Sequence, residues 1–172
     1  MEKRLFIACT VDKLPVAEKI QSFLSPEYRC KLWIAETFKS GTSALESLLS
    51  EARNTDFALI LLTADDRNIS DQKGRKNTTI AVPRDNLIFE AGIFLSALGR
   101  QSVALCLEHP PKVKLPTDLL GQNVISFSLD RDVNSLSFQH VIRGVADQAK
   151  SQFSSSSQKS SPQYNAYWRT HS

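Results

Sequence analysis

One carboxylate stands apart from the other acidic residues of the chain. Glu90 lies in the run Pro83-Arg84-Asp85-Asn86-Leu87-Ile88-Phe89-Glu90-Ala91-Gly92-Ile93-Phe94, flanked by Ile88, Phe89, Ala91 and Ile93. A carboxylate embedded among apolar side chains is only partly solvated. In a site that excludes water such a group acts strongly on nearby charge. Pro83 disfavours helix for the residue before it, so a helix boundary falls there. Asp85 is a natural N-cap. Asn86 and Glu90 are four apart and share a face near the start of the helix. Gly92 inside that helix costs roughly 1 kcal/mol relative to alanine, a cost that close approach of a backbone or ligand would offset. On residue pattern alone the plainer reading remains a surface glutamate on an amphipathic helix, with Asn86 and Gly92 incidental.

The elements that must position this helix follow from periodicity. Leu5 to Cys9 reads as a first strand, and Val16, Ile20, Phe23 and Leu24 recur at helical spacing between Pro15 and Pro26. Tyr28 to Ile34 reads as a second strand, followed by a polar loop from Ala35 to Thr42. Ser43 and Glu46 have capping-box spacing ahead of an apolar stripe of Leu45, Leu48, Leu49 and Ala52. Phe57 to Thr63 is apolar almost throughout, which suits a central parallel strand covered on both faces. Residues 64 to 84 read as one long polar loop, functional or mobile. A helix from Asp85 to about Leu98 comes next, then strands at Ser102–Leu107 and Val124–Phe127. Phe138, Val141, Ile142, Val145 and Ala149 mark a last amphipathic helix. Five alternations of strand and helix predict an α/β fold: a five-stranded parallel sheet with helices on both faces, in the flavodoxin-like order 2-1-3-4-5. Such sheets bind ligands beyond the carboxyl ends of their strands, at the switch point. Residues 1–150 make up this domain. Residues 151–172 read as a serine-rich linker or tail, whose Tyr164, Tyr167 and Trp168 either dock on the domain or begin a further one.

Bulk composition narrows the classes. The net charge of +3, from 21 basic and 18 acidic residues, is too small to argue for nucleic-acid binding. The longest apolar run, Phe57–Leu62, is far short of a membrane span, and no secretory signal is visible at the N-terminus. Cys9, Cys30 and Cys106 match no metal spacing and read as reduced thiols of a cytoplasmic protein. His109, His140 and His171 are scattered, so no metal site is expected. There is no GxxxxGK[ST] and no GxGxxG after the first strand, which removes the P-loop and dinucleotide-fold readings. Lys73, Arg75 and Lys76 read as charges on a solvated loop.

The run PRDNLIFEAGIF resembles the signature of bacterial TIR-like nucleotide-binding domains, the kind fused to cyclic-dinucleotide sensors in antiphage TIR-STING effectors. Other pieces agree in order: Leu5-Phe6-Ile7, Leu32-Trp33, Asp56 with the strand ending Thr63-Ala64-Asp65-Asp66, and Leu115-Pro116-Thr117-Asp118-Leu119-Leu120-Gly121. The resemblance covers about residues 3 to 150. It implies hydrolysis of the nicotinamide–ribose bond of NAD⁺, with Glu90 as the catalytic residue and NAD⁺ as substrate rather than cofactor. Nicotinamide and ADP-ribose are the expected products, with a cyclised ADP-ribose as a variant outcome. Departure of neutral nicotinamide leaves an oxocarbenium-like ribose that a carboxylate stabilises, and the leaving group needs no general acid.

The remaining site candidates have competing readings. Arg84 is a candidate for the pyrophosphate or for orienting Glu90, against a plain surface arginine. Asn86 shares the face of Glu90. Asp118 either lines the site or caps a helix, and Trp33 either stacks on a base or packs in the core. Cys9 and Thr10 end the first strand, where backbone approaches a ligand. Lys39, Ser40, Gly41 and Thr42 occupy the position of the BB loop, which in TIR domains takes part in head-to-tail contacts. The resemblance also implies self-association and a C-terminal sensor domain, of a cyclic-dinucleotide-binding kind. Nucleic acid and membrane are not expected as partners. A response-regulator receiver is disfavoured, because Cys9-Thr10-Val11 stands where an acidic pair would hold Mg²⁺. A non-catalytic signalling module and a deoxyribosyltransferase-like enzyme stay open.

Overall fold

The computed structural model describes residues 2–34, 44–63, 66–70, 78–109, 114–119, 124–128 and 135–157. In chain order the elements are β1 (Lys3–Cys9), α1 (Leu14–Leu24), β2 (Tyr28–Ile34), α2 (Ala44–Asn54), β3 (Phe57–Leu62), β4 (Asp66–Ser70), β5 (Thr78–Val82), α3 (Asp85–Leu98), β6 (Val103–Glu108), β7 (Val124–Phe127) and α4 (Leu136–Ser157). Single 3₁₀ turns lie at Val11–Lys13, Arg100–Ser102 and Thr117–Leu119.

The apolar run of β3 is buried at every position, as a strand covered on both faces must be. It pairs in parallel with β1 and β6. β1 pairs in parallel with β2, and β6 with β7. The sheet order is β2-β1-β3-β6-β7. Counted along the main sheet alone, this is the expected order 2-1-3-4-5, and its direction reverses between β1 and β3.

Alternation along the strands splits the core into two layers. Leu5, Ile7 and Cys9 of β1 face one layer, with Ile20 and Leu24 of α1 and Ile142, Val145 and Phe153 of α4. Phe6 and Ala8 face the other, with Leu48 and Ala52 of α2 and Leu87, Ala91 and Phe94 of α3. The local signals for α1 hold: Pro15 sits in its first turn, and the backbone N–H of Ser25, just before Pro26, donates to the Gln21 carbonyl at its end.

Two segments differ from their sequence expectation. Residues 64–84 are not one loop, because β4 and β5 form an antiparallel pair as a separate two-stranded sheet. The Thr-Thr-Ile-Ala-Val run of β5 has good strand propensity. Its partner Asp-Arg-Asn-Ile-Ser shows no apolar alternation, so only the pairing itself makes it a strand. Lys73, Arg75 and Lys76, within this stretch, lie outside the described residues. Helix α4 also runs past residue 150 into the serine-rich stretch. Phe153 anchors it, fully buried with its ring 4.7 Å from Phe57 and 6.0 Å from Tyr28. The Ser155 hydroxyl donates to the Ser151 carbonyl, and Gln152 Nε2 to the Val103 carbonyl at 2.8 Å. Tertiary packing overrides composition here.

Phe6 joins β1 to the α3 layer. It is fully buried and stacks on Phe94 with ring centroids 4.3 Å apart. Phe6→Ala is expected to cost about 3–5 kcal/mol of unfolding free energy in urea titrations. A loss below 1 kcal/mol would show that this layer does not depend on the stack.

Candidate functional site

Pro83 is buried and Arg84 is extended, with φ −60° and ψ 138°. The Arg84 carbonyl accepts the backbone N–H groups of Leu87 and Ile88 at 3.0 and 3.3 Å, so Arg84 holds the N-cap position without a side-chain cap. Asp85, expected as the cap, is instead the first helical residue. There its carboxylate still complements the positive end of the helix dipole.

The buried residues of α3 are Leu87, Glu90, Ala91 and Phe94. Their spacing of three, one and three is the inward stripe of a helix, and Glu90 occupies a core position within it. The surface reading of this residue is therefore removed. Glu90 is 1% exposed. One carboxylate oxygen, Oε1, accepts a hydrogen bond from Trp33 Nε1 at 3.0 Å. The other, Oε2, is buried with no hydrogen-bond partner among the described residues. A buried acceptor left in this state costs about 1–3 kcal/mol, which a ligand hydroxyl would recover. Burial pushes the Glu90 carboxyl up to about 7, with the Trp33 hydrogen bond as the smaller, opposing cause.

Trp33 is the next-to-last residue of β2, so the pair lies at the carboxyl end of the sheet. Its ring lies 5.7 Å from Phe6. Read from the sequence as either stacking on a base or packing in the core, the indole directs its N–H at Glu90. Thr10, which follows β1, is fully buried, and Thr63, which follows β3, is 1% exposed. These two strands flank the switch point. Among the described residues the buried polar side chains are Thr10, Thr55, Thr63 and Glu90, and of these only Thr55 sits at the opposite end of the strands. Thr63 went unassigned in the sequence. Its signal was its position as the first polar residue after an all-apolar strand.

The other candidates are placed as follows. Arg84 is half-buried at the helix start, whereas Asn86 in the first turn is exposed. Asp118 is exposed on its 3₁₀ turn. Cys9 faces the α1/α4 layer, so only its backbone is on offer at the strand end. Gly92 is exposed, and a Cβ there would meet nothing within 4 Å, so no described neighbour explains it. Lys39, Ser40, Gly41 and Thr42 lie outside the described residues. A part-buried ion pair, Lys13 to Glu108 at 2.6 Å, ties the turn after β1 to the end of β6. No cluster of metal-ligating side chains occurs among the described residues, and none of their helices is long and apolar enough to cross a membrane.

The position of Glu90 makes stability depend on pH. Unfolded, the carboxyl titrates near 4.5; folded, near 7. Between those values the unfolded chain releases a proton that the native protein keeps, so stability falls as pH rises. The loss is complete above about pH 7 and amounts to about 3 kcal/mol. The non-ionising Glu90→Gln protein should lack this fall and gain on the wild type from pH 5 to pH 8 in urea unfolding. Parallel curves for the two proteins would contradict the buried placement.

Residues 4–129 match the family model described as CAP12/Pycsar effector protein, TIR domain. CD-NTase-associated protein 12 of Flavobacterium daejeonense is 39% identical over 127 residues, covering 74% of this chain and 39% of that protein. The same-named protein of a Lachnospiraceae bacterium is 37% identical, covering 70% and 36%. Pycsar effector protein PaPycTIR of Pseudomonas aeruginosa is 35% identical, covering 77% and 42%. The chain thus spans about two fifths of the length of these relatives. Among solved structures, a flavodoxin-like domain from Synechococcus aligns with TM-score 0.50 at 9% identity, over 91% of this chain and 99% of that one. At that identity the likeness is one of fold alone, and it agrees with the sheet order. The sequence match and the RDNxxFExG run that supplies the buried Glu90 lead to one assignment: the chain belongs to the TIR-domain family of the CAP12/Pycsar effector proteins.

Proposed function

We propose that this domain is an NAD⁺ hydrolase that cleaves the nicotinamide–ribose bond with Glu90 as its catalytic residue. The observation that carries the reading is the buried carboxyl at the carboxyl end of the sheet, with one oxygen held by Trp33 and the other without a partner. In the reaction the C1′–N bond breaks and its electron pair leaves with neutral nicotinamide. Water adds to the oxocarbenium-like ribose, and ADP-ribose and a proton are released. Ionised Glu90 stabilises the developing positive charge and accepts a hydrogen bond from a ribose hydroxyl, in a site where burial strengthens both effects. Arg84, at the start of the helix that carries Glu90, is the candidate for the pyrophosphate, and Asn86 and Asp118 remain candidates for substrate contacts.

The names of the relatives place them with CD-NTases and in Pycsar systems as effectors. For this chain we extend that to an antiphage role in the cytoplasm. Activity there is switched on by self-association of TIR domains, with residues 39–42 in the contact and a C-terminal sensor for a cyclic dinucleotide, of STING or related type, driving assembly.

Two outcomes test the reading. Incubation with NAD⁺ should release nicotinamide, and Glu90→Ala should lower the rate by about 100-fold or more with an unchanged circular dichroism spectrum. Equal release by both proteins removes Glu90 from catalysis. Specific activity should also climb with protein concentration, and a rate strictly proportional to concentration would rule out activation by assembly.

A further inference from the structure

The two oxygens of Glu90 are not equivalent. Oε1 accepts the Trp33 Nε1–H at 3.0 Å, whereas Oε2 is buried without a hydrogen-bond partner among the described residues. The indole is itself held. Its ring lies 5.7 Å from Phe6, and Phe6 stacks at 4.3 Å on Phe94, one helical turn beyond Glu90 on the same buried stripe. The contacts run from strand to helix and back: Trp33 to Phe6, Phe6 to Phe94, Phe94 along α3 to Glu90, and Glu90 to Trp33. The terminal torsion of a glutamate is broad and nearly two-fold, so packing alone does not distinguish its oxygens. A single directional donor does.

We propose that Trp33 is the positioning residue of the site, its indole N–H tying down Oε1 so that Oε2 is the oxygen presented to a substrate sugar hydroxyl. The proposal rests on the reading of Glu90 as the catalytic residue, and it gives this tryptophan a role beyond stacking on a base or packing in the core. An exposed side chain would need no such tether, because water would supply hydrogen bonds to both oxygens. At 1% exposure the carboxyl depends on what the fold provides.

Among the described residues, no charged group on the surrounding elements stands beside burial and the Trp33 hydrogen bond as a cause of the shift at Glu90. On α2, Glu51 pairs with Lys31 of β2, and Glu46 and Arg53 stand at opposite ends of the helix. Arg4 of β1 pairs with Asp56. Glu108 of β6 pairs with Lys13, and Arg100 lies on the turn beyond α3. Arg84 and Asp85 stand at the start of α3 itself. The shift of the Glu90 carboxyl has burial as its first cause and the Trp33 hydrogen bond as its second. The indole is thus the partner whose removal acts on this carboxyl directly.

The test uses the full chain with Trp33 replaced site-specifically by 3-benzothienylalanine, which keeps the shape and exchanges the N–H for sulfur. Replacement by 5-fluorotryptophan, which keeps the donor, is the rescue control, and Trp33→Phe is a second variant. The readouts are the pH midpoint of the Glu90 side-chain carbonyl carbon by ¹³C NMR and steady-state nicotinamide release across pH. Without the N–H, the midpoint should move upward from the wild-type value. The kcat should fall roughly 10- to 100-fold with KM little changed, the mark of lost orientation rather than lost binding. The 5-fluorotryptophan protein should retain both values near wild type. A benzothienylalanine protein with the wild-type midpoint and the wild-type kcat overturns the proposal. If the wild type releases no nicotinamide at any concentration, the proposed activity fails, and the NMR midpoint alone then decides whether Trp33 controls the Glu90 carboxyl.

Discussion

The hydrogen bond from the Trp33 indole to the Glu90 carboxyl joins the carboxyl end of an edge strand to the buried face of a helix. An ionisable side chain on that face needs a reason to be there. Isolated burial raises its affinity for a proton and leaves acceptor capacity unsatisfied, and both effects work against folding. The structure answers with one donor for one oxygen. It leaves the other oxygen buried without a hydrogen-bond partner among the described residues. Sites whose stability is sacrificed locally and regained on binding are a common way for a fold to carry chemistry.

The rest of the architecture serves that arrangement. β3 and its neighbours supply a rigid, fully buried floor, and the stacked Phe6–Phe94 pair fixes the distance between floor and helix. Because successive side chains of β1 alternate between layers, Phe6 and Ala8 reach the α3 side while Cys9 turns away from it. The buried threonines that follow β1 and β3 mark the point where the strand order reverses, the usual place for a ligand in this topology. The ion pair between Lys13 and Glu108 spans the same end of the sheet, crossing over β3.

The cleavage of NAD⁺ proposed for this domain would need only one carboxylate. A leaving group that departs neutral needs no acid, so the fold has to bury and aim a single acidic residue rather than balance two.

Much of this was legible in the chain itself. The alternation of apolar runs with period-3.6 stripes argued for a parallel sheet with helices on both faces, to which the order 2-1-3-4-5 is suited, and Pro83 with the apolar residues after it specified where α3 begins, because these are local signals that tertiary contacts reinforce. The sequence also contained the burial of Glu90, in its spacing with Leu87, Ala91 and Phe94, although a polar residue in such a stripe reads equally well as a surface position until a neighbour covers it. The β4–β5 pair was not legible, since a polar strand is defined by its partner's backbone. Nor was the extension of α4 through its serines, which depends on Phe153 finding Tyr28 and Phe57. The partnership of Trp33 and Glu90, 57 positions apart, was decided by tertiary structure alone. A hydrogen bond is a matter of distance and direction between two side chains, and no periodicity along a chain encodes which strand end a helix will meet.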